Sequence, residues 1–205
     1  KSDILTSESV HTIFEDRDGS LWVGTASGGV NRLRDTQWRK PAEILAAQSH
    51  HLNAMVRFED GRRLIAGEAG YSYRSFDDGE TWELMDMPYL GSMWGALQLD
   101  EECALFYGLR GNALKSCDFG TTWLELDTGT EASISGGAQH DGRVVLAANS
   151  GTVLVREDGS LWREHIHSSG VDFAAVVALD DGSFLMVGED GVFRFPEANE
   201  EKGDD

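Results

Sequence analysis

Short apolar runs separated by tight polar turns recur along the whole chain with a period of about 41 residues. In the second period, residues 51–58 read as a strand closed by the turn Asp60-Gly61, and residues 63–67, 71–75 and 81–85 as three more. An aspartate–glycine pair between apolar runs marks a hairpin, because both residues tolerate positive φ. The second strand of each period is apolar throughout instead of alternating: Leu21-Trp22-Val23, Leu64-Ile65-Ala66, Leu105-Phe106-Tyr107, Val145-Leu146-Ala147 and Leu185-Met186-Val187. Such runs belong to strands buried on both faces. Each ends in a small residue (Gly24, Gly67, Gly108, Ala148 or Gly188) that suits backbones crowded near an axis. Loop glycines at Gly29, Gly70, Gly111, Gly151 and Gly191 keep the same spacing. The segments are too short and too often broken by glycine for helical repeats.

Four strands per period and a period near 41 predict an all-β fold, a five-bladed β-propeller of four-stranded antiparallel blades. The repeats fall at about residues 9–49, 50–90, 91–131, 132–170 and 171–196, within a single domain spanning 1–196. The fifth repeat reads as three strands before Pro196. Its fourth strand is assigned to Asp3-Ile4-Leu5-Thr6, so that the N-terminal segment closes the ring and removes a sheet edge. Residues 197–205 are charged and poor in apolar side chains, and predict a disordered acidic tail.

Composition narrows the partners. With 36 acidic and 17 basic residues, the net charge of −19 opposes binding to nucleic acid or to an anionic membrane surface. No apolar run approaches the roughly 18 residues of a membrane span, so no membrane insertion is expected. The opening Lys1-Ser2-Asp3-Ile4-Leu5 lacks the basic-then-apolar series of a signal peptide, and the compartment stays open. Cys103 and Cys117 flank a hairpin tip centred on Arg110. A disulfide is within reach there, but the reading favours two separate half-buried thiols.

Two segments, residues 75–82 and 116–123, both read S-x-D-x-G-x-T-W and lie 41 residues apart. They resemble the Asp-box, or BNR repeat, of sialidases and many other propellers, through Ser75, Asp77, Gly79, Thr81 and Trp82, and Ser116, Asp118, Gly120, Thr122 and Trp123. Residues 157–162 are a degraded copy, and Asp35-Thr36-Gln37-Trp38 keeps little besides the tryptophan. The resemblance implies a structural hairpin, on the face away from any ligand site. Its aspartate accepts turn N–H bonds, its glycine takes positive φ and its tryptophan packs between blades. From about residue 82 to 191 the chain is also similar to bacterial photosystem II assembly/stability factor-like propellers, through the phrases at residues 89–95, 108–112 and 128–133. Photosynthetic members of that family bind protein partners. The first repeat, at residues 15–25 and 28–33, resembles instead the propeller repeats of two-component sensor proteins. Two idioms in one chain point to recombined blades, natural or engineered.

Positions that repeat belong to the scaffold, so the candidates for function are those that differ on the face of the second-to-third-strand loops. Those loops supply Glu68, Arg110, Asn149 and Glu189, and aligning first strands by their turns gives a channel column of His11, Asn53, Trp94, Ile134 and Ala174. With Arg110 as cation, Trp94 as aromatic wall, Glu68 and Glu189 as acceptors, and Asn149, Asn53 and His11 beside them, a partner site forms at the propeller mouth. No catalytic residue, metal or cofactor is assigned. His50 and His51 are adjacent on a strand and face opposite ways. His165 and His167 share a face without a third ligand. All four read as surface side chains. The function expected is a non-catalytic, monomeric, assembly-factor-like module that binds a protein partner. One alternative is a glycosidase, with carboxylates about 5–9.5 Å apart drawn from Glu68, Asp172 and Glu189. The other is a recombined or engineered propeller with no evolved ligand.

Overall fold

The computed structural model describes residues 9–15, 19–25, 29–34, 37–39, 50–157 and 160–196. Among these residues the chain forms five antiparallel sheets in sequence order. Sheet one is β1 (Val10–Glu15), β2 (Leu21–Thr25), β3 (Gly29–Arg34) and β4 (Gln37–Arg39). Sheet two is β5 (Leu52–Arg57), β6 (Arg63–Gly67), β7 (Tyr73–Ser75) and β8 (Glu83–Leu84). Sheet three is β9 (Met93–Gln98), β10 (Ala104–Gly108), β11 (Ala113–Ser116) and β12 (Leu124–Leu126). Sheet four is β13 (Ile134–His140), β14 (Arg143–Ala148), β15 (Thr152–Glu157) and β16 (Arg163–Ile166). Sheet five is β17 (Phe173–Ala178), β18 (Phe184–Gly188) and β19 (Gly191–Phe195). This is the blade succession of a five-bladed β-propeller, the fold class the period predicts. Sheet five holds three strands among the described residues. Residues 3–6, assigned above to its fourth strand, and the tail at 197–205 lie outside them.

The chain divides into two compact units, residues 1–106 with 114–124, and residues 107–113 with 125–205. In the first unit, sheets two and three interleave Val56, Leu64 and Ala66 with Met93, Phe106 and Phe119. Trp22, Leu52, Ile65, Tyr73 and Trp82 form a second cluster. In the second unit, Val145, Ala147, Val153 and Val155 of sheet four pack on Phe173, Val176, Phe184, Met186 and Phe195 of sheet five. The middle strands β6 and β10 are buried along their length, as their unbroken apolar runs require.

A recurrent irregularity sets the register. In β1, β5, β13 and β17, pairing with the second strand slips between Val10 and Thr12, Leu52 and Ala54, Ile134 and Gly136, and Phe173 and Ala175. Each slip is a bulge with one extra residue: His11, Asn53, Ser135 or Ala174. The column of equivalent positions therefore runs through Ser135, which corrects Ile134; Ile134 is fully buried. Alignment by turns erred because the hairpins differ in length. Five residues separate Arg57 from Arg63, whereas two separate His140 from Arg143.

Two bulge side chains reach the following sheet. Asn53 Nδ2 donates to the Met93 carbonyl at 2.9 Å, and Ser135 Oγ donates to the Phe173 carbonyl. A second contact repeats on the third strands of the first unit. Arg32 Nη1 donates to the Asp78 carbonyl at 3.2 Å and Arg74 Nη1 to the Phe119 carbonyl at 3.4 Å. Both acceptors belong to residues at positive φ, 60° and 56°, within the S-x-D-x-G-x-T-W hairpins. Trp22 packs against Gly79, where a Cβ would collide with the ring, and the guanidiniums of Arg32 and Arg63 lie 4.8 and 4.6 Å from the ring centroid. Arg63 is fully buried, and it shares the Asp78 carboxylate with Arg32. Burial alone would raise the Asp78 carboxyl, but Arg63 and then Arg32 outweigh it and hold it below its ordinary range.

The two hairpins have the same internal bonding. Ser75 Oγ donates to Asp77 and accepts the Gly79 N–H, and Asp77 accepts the Thr81 N–H at 2.8 Å and its hydroxyl at 2.6 Å. Ser116, Asp118, Gly120 and Thr122 repeat these bonds. Trp82 is buried and donates Nε1–H to the Gly79 carbonyl, while Trp123 lies against Phe106 with ring centroids 4.6 Å apart. Cys103 and Cys117 are joined in a disulfide, which corrects the expectation of separate thiols. They stand at the matching ends of β10 and β11, where the hairpin holds their Cα atoms 4.0 Å apart.

Two measurements test this scaffold. Partial burial pushes the Asp77 and Asp118 carboxyls up, but bonds from Thr81 and Ser75, and from Thr122 and Ser116, outweigh it and lower both. Carboxylates titrating below their unfolded range of about 4 contribute stability that is complete above that pH and lost as pH falls through the folded values. Asp77→Asn with Asp118→Asn is therefore expected to lower stability at pH 7 and to flatten its decline below about pH 4 in urea titrations. Reduction of the disulfide, or Cys117→Ser, is expected to cost about 3 kcal/mol, the value for a loop of about 15 residues, seen as a lower urea midpoint.

Candidate functional site

The second-to-third-strand turns carry most of the residues singled out for binding. Three of them place two consecutive residues at positive φ: Ala69 and Gly70, Arg110 and Gly111, and Ser150 and Gly151. Each is closed by one backbone bond, Tyr71 N–H to the Glu68 carbonyl, Asn112 N–H to Leu109, and Thr152 N–H to Asn149. Two positive φ angles identify type I′ turns. Arg110, at φ 55° and ψ 40°, is thus a non-glycine residue held left-handed on an exposed tip.

Behind each turn lies a pair that recurs by position. The residue following the second strand donates its N–H to the carbonyl of the residue preceding the first strand: Glu68 to His51, Asn149 to Ser133, and Glu189 to Asp172, at 3.1, 3.2 and 3.3 Å. The side chains vary around this constant backbone bond. Glu68 accepts the His51 N–H at 2.8 Å, and its other oxygen lies 2.9 Å from His51 Nδ1. Asn149 Oδ1 accepts the Ser133 N–H at 2.7 Å. Asp172 Oδ1 accepts the Ser150 N–H at 2.7 Å.

In the second unit these pairs join into a row. The Arg110 N–H points at Ser133 Oγ at 3.4 Å, Ser133 bonds Asn149, the neighbouring Ser150 bonds Asp172, and Asp172 accepts from Glu189. Arg110, Asn149 and Glu189 are therefore brought together through Ser133, which was not singled out in the sequence, and Asp172, which entered only as a carboxylate for a glycosidase. Their signal was available as a constant offset, one residue ahead of each first strand, where polar identity varies among repeats. Within the first unit, Trp94 is 42% exposed beside the Met93 carbonyl that Asn53 occupies. The described side-chain hydrogen bonds of Asn53 and Glu68 are with the Met93 carbonyl and with His51. The His11 side chain lies outside the description.

The other histidines are also placed. His50 stacks on Tyr71 with centroids 3.8 Å apart, and His165 meets the edge of Phe195 at 5.5 Å. His167 is buried, which corrects its assignment to the surface; Phe173 and Phe193 flank it at 5.6 and 5.1 Å. Its Nδ1 accepts the Ser169 N–H at 3.2 Å. Clefts of about 470 Å³ and 350 Å³ lie elsewhere. One is lined by the Asp141-Gly142 and Asp181-Gly182 turns with Arg143 and Glu157, the other by Phe14, Met55, Arg57, Phe58 and Leu97.

Among protein families, the two component regulator propeller matches residues 4–27. No curated protein matches the chain. Solved structures share the fold. YCF48 bound to a D1 peptide has a TM-score of 0.72 at 18% identity, covering 90% of this chain and 62% of that one. YCF48 from Cyanidioschyzon merolae has a TM-score of 0.72 at 18% identity, over 98% and 71%. Virginiamycin B lyase from Staphylococcus aureus has a TM-score of 0.77 at 13% identity, over 95% and 73%. The chain thus spans about three fifths to three quarters of the length of these structures. At such identities the likeness is one of fold.

The left-handed tip gives a direct test. Arg110→Gly is expected to raise stability by up to about 1 kcal/mol, the left-handed penalty of an L-residue less the ordering entropy of glycine. Asn149→Ala, which strips an acceptor from the Ser133 N–H, is expected to cost about 1–2 kcal/mol. Both are read from urea midpoints at constant m.

Proposed function

We propose that the chain is a non-catalytic, protein-binding propeller module that takes its partner on the row running from Arg110 through Ser133, Asn149 and Asp172 to Glu189. The observation that carries this reading is the row itself, a polar surface whose backbone is held by bonds within sheet four and from it to its neighbours. Such a surface offers one cation, hydroxyl and amide groups and two carboxylates at fixed spacing, and rigid display of this kind lowers the ordering cost of binding. The type I′ turns keep the tips short, so the surface suits an extended peptide or a loop of another protein.

Two of the three carboxylates in the glycosidase reading are engaged by backbone N–H groups, Glu68 by that of His51 and Asp172 by that of Ser150 in the neighbouring sheet. This favours support over chemistry. The similarity of residues 82–191 to photosystem II assembly/stability factor-like propellers, and the fold shared with YCF48, which is bound to a D1 peptide in its own structure, support a protein partner. We read the S-x-D-x-G-x-T-W hairpins as Asp-boxes, and their bonding supports a role in the scaffold. The disulfide fits an oxidising compartment.

The test uses peptides selected from a random display library on the native protein. Selected peptides are expected to lose about tenfold or more in affinity, roughly 1.4 kcal/mol, against Arg110→Gly or Asp172→Ala, measured by fluorescence polarisation. Peptides indifferent to both substitutions would remove the row from the interface. A panel of aryl glycosides is expected to stay unhydrolysed; turnover abolished by Glu189→Gln would establish the enzymatic alternative instead.

A further inference from the structure

The two S-x-D-x-G-x-T-W hairpins share their turn bonds but differ in how each is fastened. In the first, Trp82 Nε1–H donates to the Gly79 carbonyl at 3.1 Å, and the left-handed Asp78 pairs with Arg32 and Arg63. In the second, Trp123 Nε1 is buried with no hydrogen-bond partner among the described residues. The left-handed residue there is Phe119, which carries no charge. Arg74 reaches this hairpin by its Nη1, 3.4 Å from the Phe119 carbonyl and 3.0 Å from Thr121 Oγ1. A buried donor without an acceptor penalises the closed state. The hairpin at 116–123 is therefore the less completely closed of the two by non-covalent bonds.

It is also the one that carries the disulfide. Cys117 stands where the first hairpin has Phe76, a residue fastened by ring contact with Phe119 at 4.8 Å. The other sulfur is mounted on a well-bonded turn. Asp100 Oδ1 accepts the Cys103 N–H at 2.7 Å, and the Leu99 N–H donates to the Cys103 carbonyl at 2.8 Å. Cys103 is buried and Cys117 exposed, so a thiolate meets the bridge at Cys117 Sγ. Apolar surface lies behind the hairpin. Phe119 and Phe58 are 4% and 1% exposed with ring centroids 5.7 Å apart, and Met85 sits against Gly120, where a Cβ would collide with its sulfur. All these residues belong to the first compact unit.

We propose that the Cys103–Cys117 bridge is a redox-sensitive clasp that a dithiol opens, releasing the hairpin at 116–123 from sheet two and exposing Phe119 and Phe58. One thiolate of the dithiol attacks Cys117 Sγ to form a mixed disulfide, and Cys103 leaves as a thiolate and takes up a proton. The second thiol, giving up its proton, attacks the dithiol's own bonded sulfur and expels the Cys117 thiolate, which is protonated in turn. The dithiol ends as a disulfide, and the two cysteines gain two electrons and two protons. Arg74 keeps Glu83 at 3.1 Å within sheet two, so opening leaves no unpaired charge behind.

The experiment compares the oxidised protein with the protein in excess dithiothreitol, by amide exchange resolved on residues 117–123 and 76–82. Reduction is expected to speed exchange in 117–123 at least about tenfold more than in 76–82, and reoxidation to restore it. Cys103→Ala with Cys117→Ala should reproduce the reduced state without dithiol. Trp123→Phe, which removes the unpaired N–H, should cut the effect of reduction several-fold. A dithiol protein lacking its second, resolving cysteine should be trapped on Cys117, as read by mass spectrometry. The inference is overturned by a bridge that survives dithiothreitol until the whole protein unfolds, or by trapping on Cys103. It is equally overturned if exchange in 117–123 rises no more than in 76–82, because the bridge then acts on the unfolded chain alone.

Discussion

Side chains that reach forward to a backbone carbonyl hold successive sheets in step. Asn53 and Ser135 do so from the bulge of a first strand, and Arg32 and Arg74 from a third strand. A hydrogen bond donated by a charged group contributes about 1.5–3 kcal/mol where its partners are shielded, which is comparable to the burial of an apolar side chain. Unlike apolar contact, it has direction. A sheet slipped by one residue would turn Asn53 or Arg74 toward the opposite face and leave the carbonyl unmet. Apolar packing between sheets supplies the driving force, and these directed bonds select the register in which it is realised.

The acceptor ends explain the turn chemistry. Asp78 and Phe119 offer their carbonyls because each sits left-handed between an aspartate and a glycine, and the Asp77 and Asp118 carboxylates bond the rest of the turn. At the first of these junctions Trp22 needs Gly79 beside it and accepts two guanidiniums near its ring, with Asp78 as their common counterion. A motif that looks chemical in one dimension is therefore an anchoring device. Glu68 and Asn149 likewise anchor backbone, their side-chain oxygens accepting the N–H groups of His51 and Ser133 ahead of the first strands.

Much of the architecture was legible in the sequence because its causes are local. Aspartate–glycine turns, unbroken apolar second strands and glycine spacing each depend on a few neighbouring residues, and the observed strands of sheet two lie within those expected. The candidate site was legible only in outline. Arg110, Asn149 and Glu189 do share a row, but its connecting residues, Ser133 and Asp172, carry no motif. Each is recognised only as the position before a first strand whose carbonyl receives the next loop.

The sequence by itself determined the sheets, their order and the turns that join them, since strand period and positive-φ chemistry act within a few residues. Tertiary structure alone decided whatever depends on the distance between remote residues or on what lies across a sheet. It put Ser135 in place of Ile134, because an extra residue in one strand shows only against its partner. It bonded Cys103 to Cys117 and sealed His167 between two phenylalanines, since neither proximity nor burial follows from residue type.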